Sequence, residues 1–198
     1  MSNFTIFTES KADVKFLKDF AAEIFNKPLA DSNFDTLLSW SGYKAGGFLK
    51  TEIQQNFDEG KETIIILDAD NDIEARRKEI MNDFNAYSIP IHLFLFPNNA
   101  STGNIESLLE KIATNRKVMD CFLEYEKCVS EHPKPLHDSR IYSYLDMLLY
   151  PDPKSGGNKD LRKEEFRDYR NKDHWDLTHE YLLPLQEFLL PLLQSLSL

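Results

Sequence analysis

Apolar residues along the chain change their spacing in a regular way. Phe4 to Thr8 is a short run of β-formers. Ser10-Lys11-Ala12-Asp13 then has the form of a capping box, and Val14, Leu17, Phe20, Ala21 and Ile24 follow at helical spacing to about Asn26, where Lys27-Pro28 stops the helix. A second strand is expected around Asp35 to Trp40. Gly42, Gly46 and Gly47 mark a turn, and a helix is expected over Phe48 to Phe57, closed by Glu59-Gly60-Lys61. Thr63 to Leu67 is the strongest strand signal. It is almost wholly β-branched and does not alternate, as expected of a central parallel strand covered on both faces. Ile73, Arg77, Ile80, Met81 and Phe84 line one stripe of the next helix, and Ile91 to Phe96 is a fourth strand after Pro90.

Repeated strand-then-helix units predict an α/β fold with a central, mostly parallel four-stranded sheet flanked by helices. After Pro97 the pattern becomes helical, over Ile105 to Ala113, Val118 to Val129, Leu136 to Leu149 and Tyr181 to Leu196, with a polar loop from Pro151 to Asp173. Residues 1–97 therefore read as the α/β core and 98–198 as a helical C-terminal extension packed on it, in one compact domain. The apolar run from Tyr181 to Leu196 suits core packing, with a homo-oligomer as the other use. No internal repeat or low-complexity tract interrupts this plan.

Composition narrows the classes. Hydrophobic residues make up 41% of the 198, with 14 Phe and 8 Tyr, enough to fill a core. No apolar run is long enough to span a bilayer, and no basic-then-apolar leader opens the chain, so the expectation is a cytoplasmic protein with no membrane partner. Cys121 and Cys128 lie about 10 Å apart along one helix, too far for a disulfide, and read as core or partner-facing thiols. The net charge of −10 argues against a broad nucleic-acid-binding face but leaves room for a local site for DNA or RNA.

The candidate chemistry begins where the best strand ends, at Asp68-Ala69-Asp70-Asn71-Asp72. Ligands of open parallel sheets bind at the carboxyl ends of the strands. Asp68 and Asp70 can both face one hard cation there, and oxygen-only ligands suit magnesium or manganese. Asn71 or Asp72 can equally cap the next helix, with Glu74 completing a box. That does not explain Asp68, which follows four apolar residues and is expected to be partly buried. A calcium loop fails because Ile73 stands where glycine is required and a strand, not a helix, precedes the loop. A phosphatase of the haloacid-dehalogenase type fails because Asp72 stands where threonine is needed and the strand is about the third. Glu9, at the end of the first strand, would emerge on the same sheet edge.

A strand ending in Glu9, a glycine turn at Gly42 or Gly46-Gly47, and Asp68-x-Asp70 after the third strand together resemble the Toprim superfamily over about residues 4 to 96. Glu9-Ser10-Lys11-Ala12-Asp13 is similar to the lettering of its OLD-type nucleases, with Ser10 in place of the usual glycine. Pro97-Asn98, Gly103-Asn104-Ile105-Glu106 and His137-Asp138-Ser139-Arg140 resemble a group of small stand-alone Toprim-like prokaryotic proteins without an established function. The resemblance implies a Toprim-like fold and a magnesium- or manganese-dependent phosphodiesterase or nuclease. Asp68 and Asp70 would bind the metal, with Asp72 a weaker ligand, and Glu9 would serve as general acid or base. Asp13 and Glu106 are further candidate ligands, Asp13 equally a capping residue. Lys11, beside Glu9, is a candidate catalytic cation, and Lys134, His137 and Arg140 are candidate substrate-binding residues. Arg162, Lys163, Arg167, Arg170 and Lys172 form the most basic stretch, but interleaved acids make it read as a solvated segment. The rival to an enzyme is an interaction or regulatory module that keeps the fold without turnover.

Overall fold

A computed structural model describes residues 4–36, 48–85, 89–130, 139–148, 150–151 and 156–194. Four strands, β1 (Phe4–Thr8), β2 (Phe34–Thr36), β3 (Glu62–Asp68) and β4 (His92–Phe96), form one sheet in the order β2-β1-β3-β4. Every pairing is parallel, with Ile6 opposite Phe34, Ile6 opposite Ile64, and Asp68 opposite Phe96.

Side-chain alternation along β3 explains why its apolar run is unbroken. Ile64 and Ile66 enter one core cluster, Ile65 and Leu67 the other, and all four are fully buried. Each such side chain contributes about 1.5–3 kcal/mol by leaving water. The first cluster is the larger. It packs Phe16, Leu17 and Phe20 of helix α1 (Lys11–Phe25) against the sheet. Helices α4 (Ile105–Ile112), α6 (Ser139–Met147) and α7 (Leu183–Gln194) add Leu108, Tyr144 and Leu189 to it. From α5 (Arg116–Val129) it takes Met119. The second cluster is closed by Ile53 of α2 (Phe48–Asp58) and by Ile80 and Phe84 of α3 (Ile73–Asn85).

The strand and helix expectations up to Phe96 stand, with small differences in bounds: β2 begins at Phe34, and its continuation through Trp40 lies outside the described residues, as do Gly42, Gly46 and Gly47. The described part of the expected Leu136–Leu149 helix is Ser139–Met147, and the last helix opens with a 3-10 turn over Glu180–Leu182. Two readings need correction. Cys121 and Cys128 are free and exposed, because α5 buries only Met119 and turns both thiols away from the core; of the two uses expected for them, only core packing is overturned. The basic stretch is not uniformly solvated: Arg167 and Tyr169 are buried. The Arg167 guanidinium donates to the carbonyls of Leu161 (2.8 Å) and Arg162 (3.0 Å) and to the Tyr169 hydroxyl (3.2 Å). A cation withdrawn from water needs such a complete set of acceptors.

Tyr169 also ties this segment to α1. Its backbone N–H donates to Asp19 Oδ2 at 2.9 Å, and its ring meets Phe16 edge-on at 5.3 Å. No helix among the described residues is long and apolar enough to cross a membrane.

Candidate functional site

Strand order fixes where a ligand site belongs. The chain leaves β1 toward β2 on one side, then crosses to β3 on the other, so the β1/β3 edge is where the connections diverge. Crevices in parallel sheets open at the carboxyl end of such a pair. Glu9 follows β1, Asp68 ends β3, and Asp70 lies just beyond.

Three helix starts face the same edge. Ser10 caps α1: its hydroxyl accepts from Asp13 N (3.2 Å), while Asp13 Oδ2 accepts from Ser10 N (2.8 Å). This is the reciprocal box read from the sequence. It also places Asp13, only 3% exposed, next to the sheet edge. Asn104 caps α4 through Ser107 N (3.0 Å), and the next amide, Ile105 N–H, donates to Asp68 Oδ1 (3.1 Å). Glu106 thus enters on the first turn of α4, beside Asp68. Asp72 caps α3 by accepting from Ala75 N (3.0 Å), the capping role weighed for it in the sequence.

The electrostatics follow from this convergence. Burial pushes the Asp68 carboxyl up to about 9, and the neighbouring Asp13, Glu9 and Glu106 push in the same direction against the Ile105 N–H bond. Asp13 is raised to about 7, again chiefly by burial, with Glu106 and Glu9 adding to it despite both Ser10 hydrogen bonds. Glu9 is raised as well: burial outweighs Arg76, and Asp70 adds to the upward push. The raised groups therefore form one interacting acidic cluster.

Arg76, which sequence reasoning passed over, is the cation built into this edge. It lies in α3, one turn after Asp72. Its guanidinium donates to Glu9 Oε1 at 2.7 Å and through Nε to the Asp68 carbonyl at 3.3 Å, and stands 3.7 Å from Asp70 Oδ2. Its side chain is only 12% exposed. An arginine beside the apolar stripe of α3 carries no periodic mark of an inward role; the acid-rich segment just before it was the only available signal.

The loops that carry these groups are fastened together. Asp70, in the left-handed region at φ 55°, exchanges two backbone hydrogen bonds with Gly103, at 2.9 and 2.7 Å. Gly103 itself has φ +129°, and a Cβ there would lie 2.7 Å from Ser107 Oγ. Arg77 holds the β4 loop through Asn99, whose side-chain oxygen also accepts from Leu95 N.

The other sequence candidates take no part in these contacts. Lys11 is exposed at the start of α1. Arg140 is engaged by Glu110 (2.5 Å) and Glu126 (2.9 Å), joining α6 to α4 and α5. Lys134 and His137 lie outside the described residues. Tyr169 stands behind the cluster, fully buried, its hydroxyl pushed up to about 12 mainly by burial, with Asp13 and Glu106 adding to it and Arg167 opposing.

Whether these residues suit a divalent cation depends on donor chemistry and on availability. The donors are all oxygens, as magnesium and manganese prefer, and the clustered carboxyls would gain most from a positive charge. In the arrangement seen, however, Glu9 is turned to Arg76, Asp13 to its cap and one Asp68 oxygen to Ile105. Accordingly, no three His, Cys, Asp or Glu side chains among the described residues are drawn together as a ready cation-holding group. The set fits in chemistry and in place, and closing on an ion requires Glu9, Asp13 and Asp68 to give up some of these partners. No protein-family model, curated protein or solved structure matches the chain.

Proposed function

We propose that the chain is a Toprim-like protein whose β1/β3 edge is a magnesium- or manganese-dependent phosphoryl-transfer site, acting as a phosphodiesterase or nuclease on DNA or RNA through a local site. The observation that carries this reading is the meeting of Glu9 with Asp68 and Asp70 across the divergence of the sheet, bridged by Arg76. Capping explains Asp13 and the pair with Arg76 explains Glu9, but neither explains a half-buried Asp68 surrounded by Asp13, Glu9 and Glu106 at the cost of their mutual repulsion.

Asp68 and Asp70, with Asp13 and Glu106 beside them, would hold the cation. When bound, such an ion offsets charge developing on phosphoryl oxygens and makes water a better nucleophile. Glu9, its carboxyl raised by burial, suits proton transfer, and its bond to Arg76 orients it. Ile105 N–H fixes the Asp68 carboxyl at the start of α4, where the helix dipole favours a negative group. Asp72, occupied as a cap, contributes to backbone geometry more than to ligation.

A second reading, a non-catalytic interaction or regulatory module, is favoured by one observation: Arg76 already satisfies Glu9 without any cation. A cleavage assay with manganese on single- and double-stranded DNA and RNA separates the two. The wild-type chain is expected to cut at least one substrate only when the metal is present, and Asp68→Ala to abolish cutting. No metal-dependent cleavage of any of these would overturn the enzyme reading.

A further inference from the structure

We infer that Arg76 is an internal competitor for the cation site: its guanidinium takes up the charge of Glu9 and Asp70 in the absence of metal, and so sets how tightly the site accepts a divalent ion. This rests on the metal-dependent reading above and names how that site is regulated.

The geometry is that of a tethered cation. The guanidinium lies 2.7 Å from Glu9 Oε1 and 3.7 Å from Asp70 Oδ2, and also reaches Glu79 Oε2 at 3.8 Å. Glu9 arrives from β1 and Asp70 from the loop after β3. One positive group therefore spans the two elements a shared metal would have to span. Its hold is firm because Nε is anchored on the Asp68 carbonyl (3.3 Å) and the side chain is nearly enclosed. A divalent ion approaching Glu9 or Asp70 must either displace this guanidinium or bind within a few ångströms of it. At that range like charges repel strongly in a partly desolvated site. Asp68, with Asp13 and Glu106 beside it, also attracts the ion, and Arg76 opposes its full entry. Displacement also frees a planar, five-donor cation beside the site, the kind of group that pairs with phosphoryl oxygens.

The test uses the full chain and manganese alone as probe, with affinity measured by calorimetric titration and by the metal-induced rise in melting temperature. Arg76→Gln removes the competing charge and is expected to bind manganese about tenfold more tightly than wild type. Arg76→Lys keeps the charge but cannot bridge Glu9 and the Asp68 carbonyl at once; its affinity is expected to fall between the two, about threefold above wild type. Should the glutamine variant fail to fold, the lysine variant alone decides. Unchanged or weaker manganese binding in folded variants overturns the competition while leaving the metal site standing. Absence of manganese binding in every chain, wild type included, overturns both.

Discussion

Replacing Asp68 by Asn tests the acidic cluster without any assumption about substrate. The amide has the same shape, its oxygen can still accept the Ile105 N–H bond at 3.1 Å, and it carries no charge. In the wild type, the Asp68 carboxyl rises from an ordinary 3.8 to about 9 on folding, first through burial and then through Asp13, Glu9 and Glu106. The folded state thus binds a proton that the unfolded state has lost at neutral pH, and stability falls as pH rises between those two values. At 1.36 kcal/mol per unit, about three units of that window lie below pH 7, so the penalty carried there is on the order of 2–4 kcal/mol. Asp68→Asn removes it. In a chain of this size each kcal/mol moves the melting temperature by about 2–4 °C, so the variant should melt roughly 5–15 °C above wild type at pH 7.5. The gain should shrink to about 1 kcal/mol near pH 5 and vanish near pH 4. Melts in metal-free buffer across that range check the expectation. A variant that melts lower than wild type at pH 7.5, or a gain independent of pH, would refute the account of Asp68 as a half-buried acid whose Ile105 bond does not offset its desolvation. Magnesium should then narrow the gap by stabilising wild type alone, by about 2.7 kcal/mol at a hundredfold excess over its dissociation constant.

Other expectations follow from particular contacts. Gly103→Ala puts a Cβ 2.7 Å from Ser107 Oγ at φ +129°, and should cost about 2–3 kcal/mol in urea unfolding while weakening manganese binding by loosening Asp70. Asp19→Ala removes the acceptor of Tyr169 N–H and the partner of Lys15, and should cost about 1–3 kcal/mol; faster amide exchange at Tyr169 would report the loss locally. Arg140→Met breaks the junction with Glu110 and Glu126. It should lower stability by about 1–3 kcal/mol with manganese affinity unchanged, and a specific loss of substrate affinity instead would restore Arg140 as a binding residue.

The sheet was legible because its strands are short and covered on both faces. β3 could be read from five apolar or β-branched residues in a row, and its parallel neighbours followed from the helices between them. Glu9, Asp68 and Asp70 were legible for the same reason: they punctuate strand ends, and strand ends in a parallel sheet share an edge. Asp13 had two readings in the sequence, cap and site residue, and its cap geometry places it at the edge, so the two are compatible. Arg76 was not legible. Its role depends on the angle at which α3 leaves the Asp72 cap, which no local pattern encodes. Arg167 was misread because local charge density says nothing of how the segment folds back on itself to offer the Leu161 and Arg162 carbonyls, or of the Tyr169 N–H bond to Asp19, 150 residues away, that seats it.

That distant contact has a consequence for synthesis. Ile64, Ile66, Phe94 and Phe96 on one face of the sheet, with Phe16 and Leu17 of α1 packed on them, share a core cluster with residues from α4 to α7 and with Tyr169 and Trp175. While the ribosome is still making the second half, α1 alone is at hand to cover that face, without the Tyr169 ring that meets Phe16. Domains commonly fold as units during translation. Here α1 gains its contacts with Tyr169 only after the polypeptide through that residue has cleared the exit tunnel, so this side of the core is completed late in synthesis.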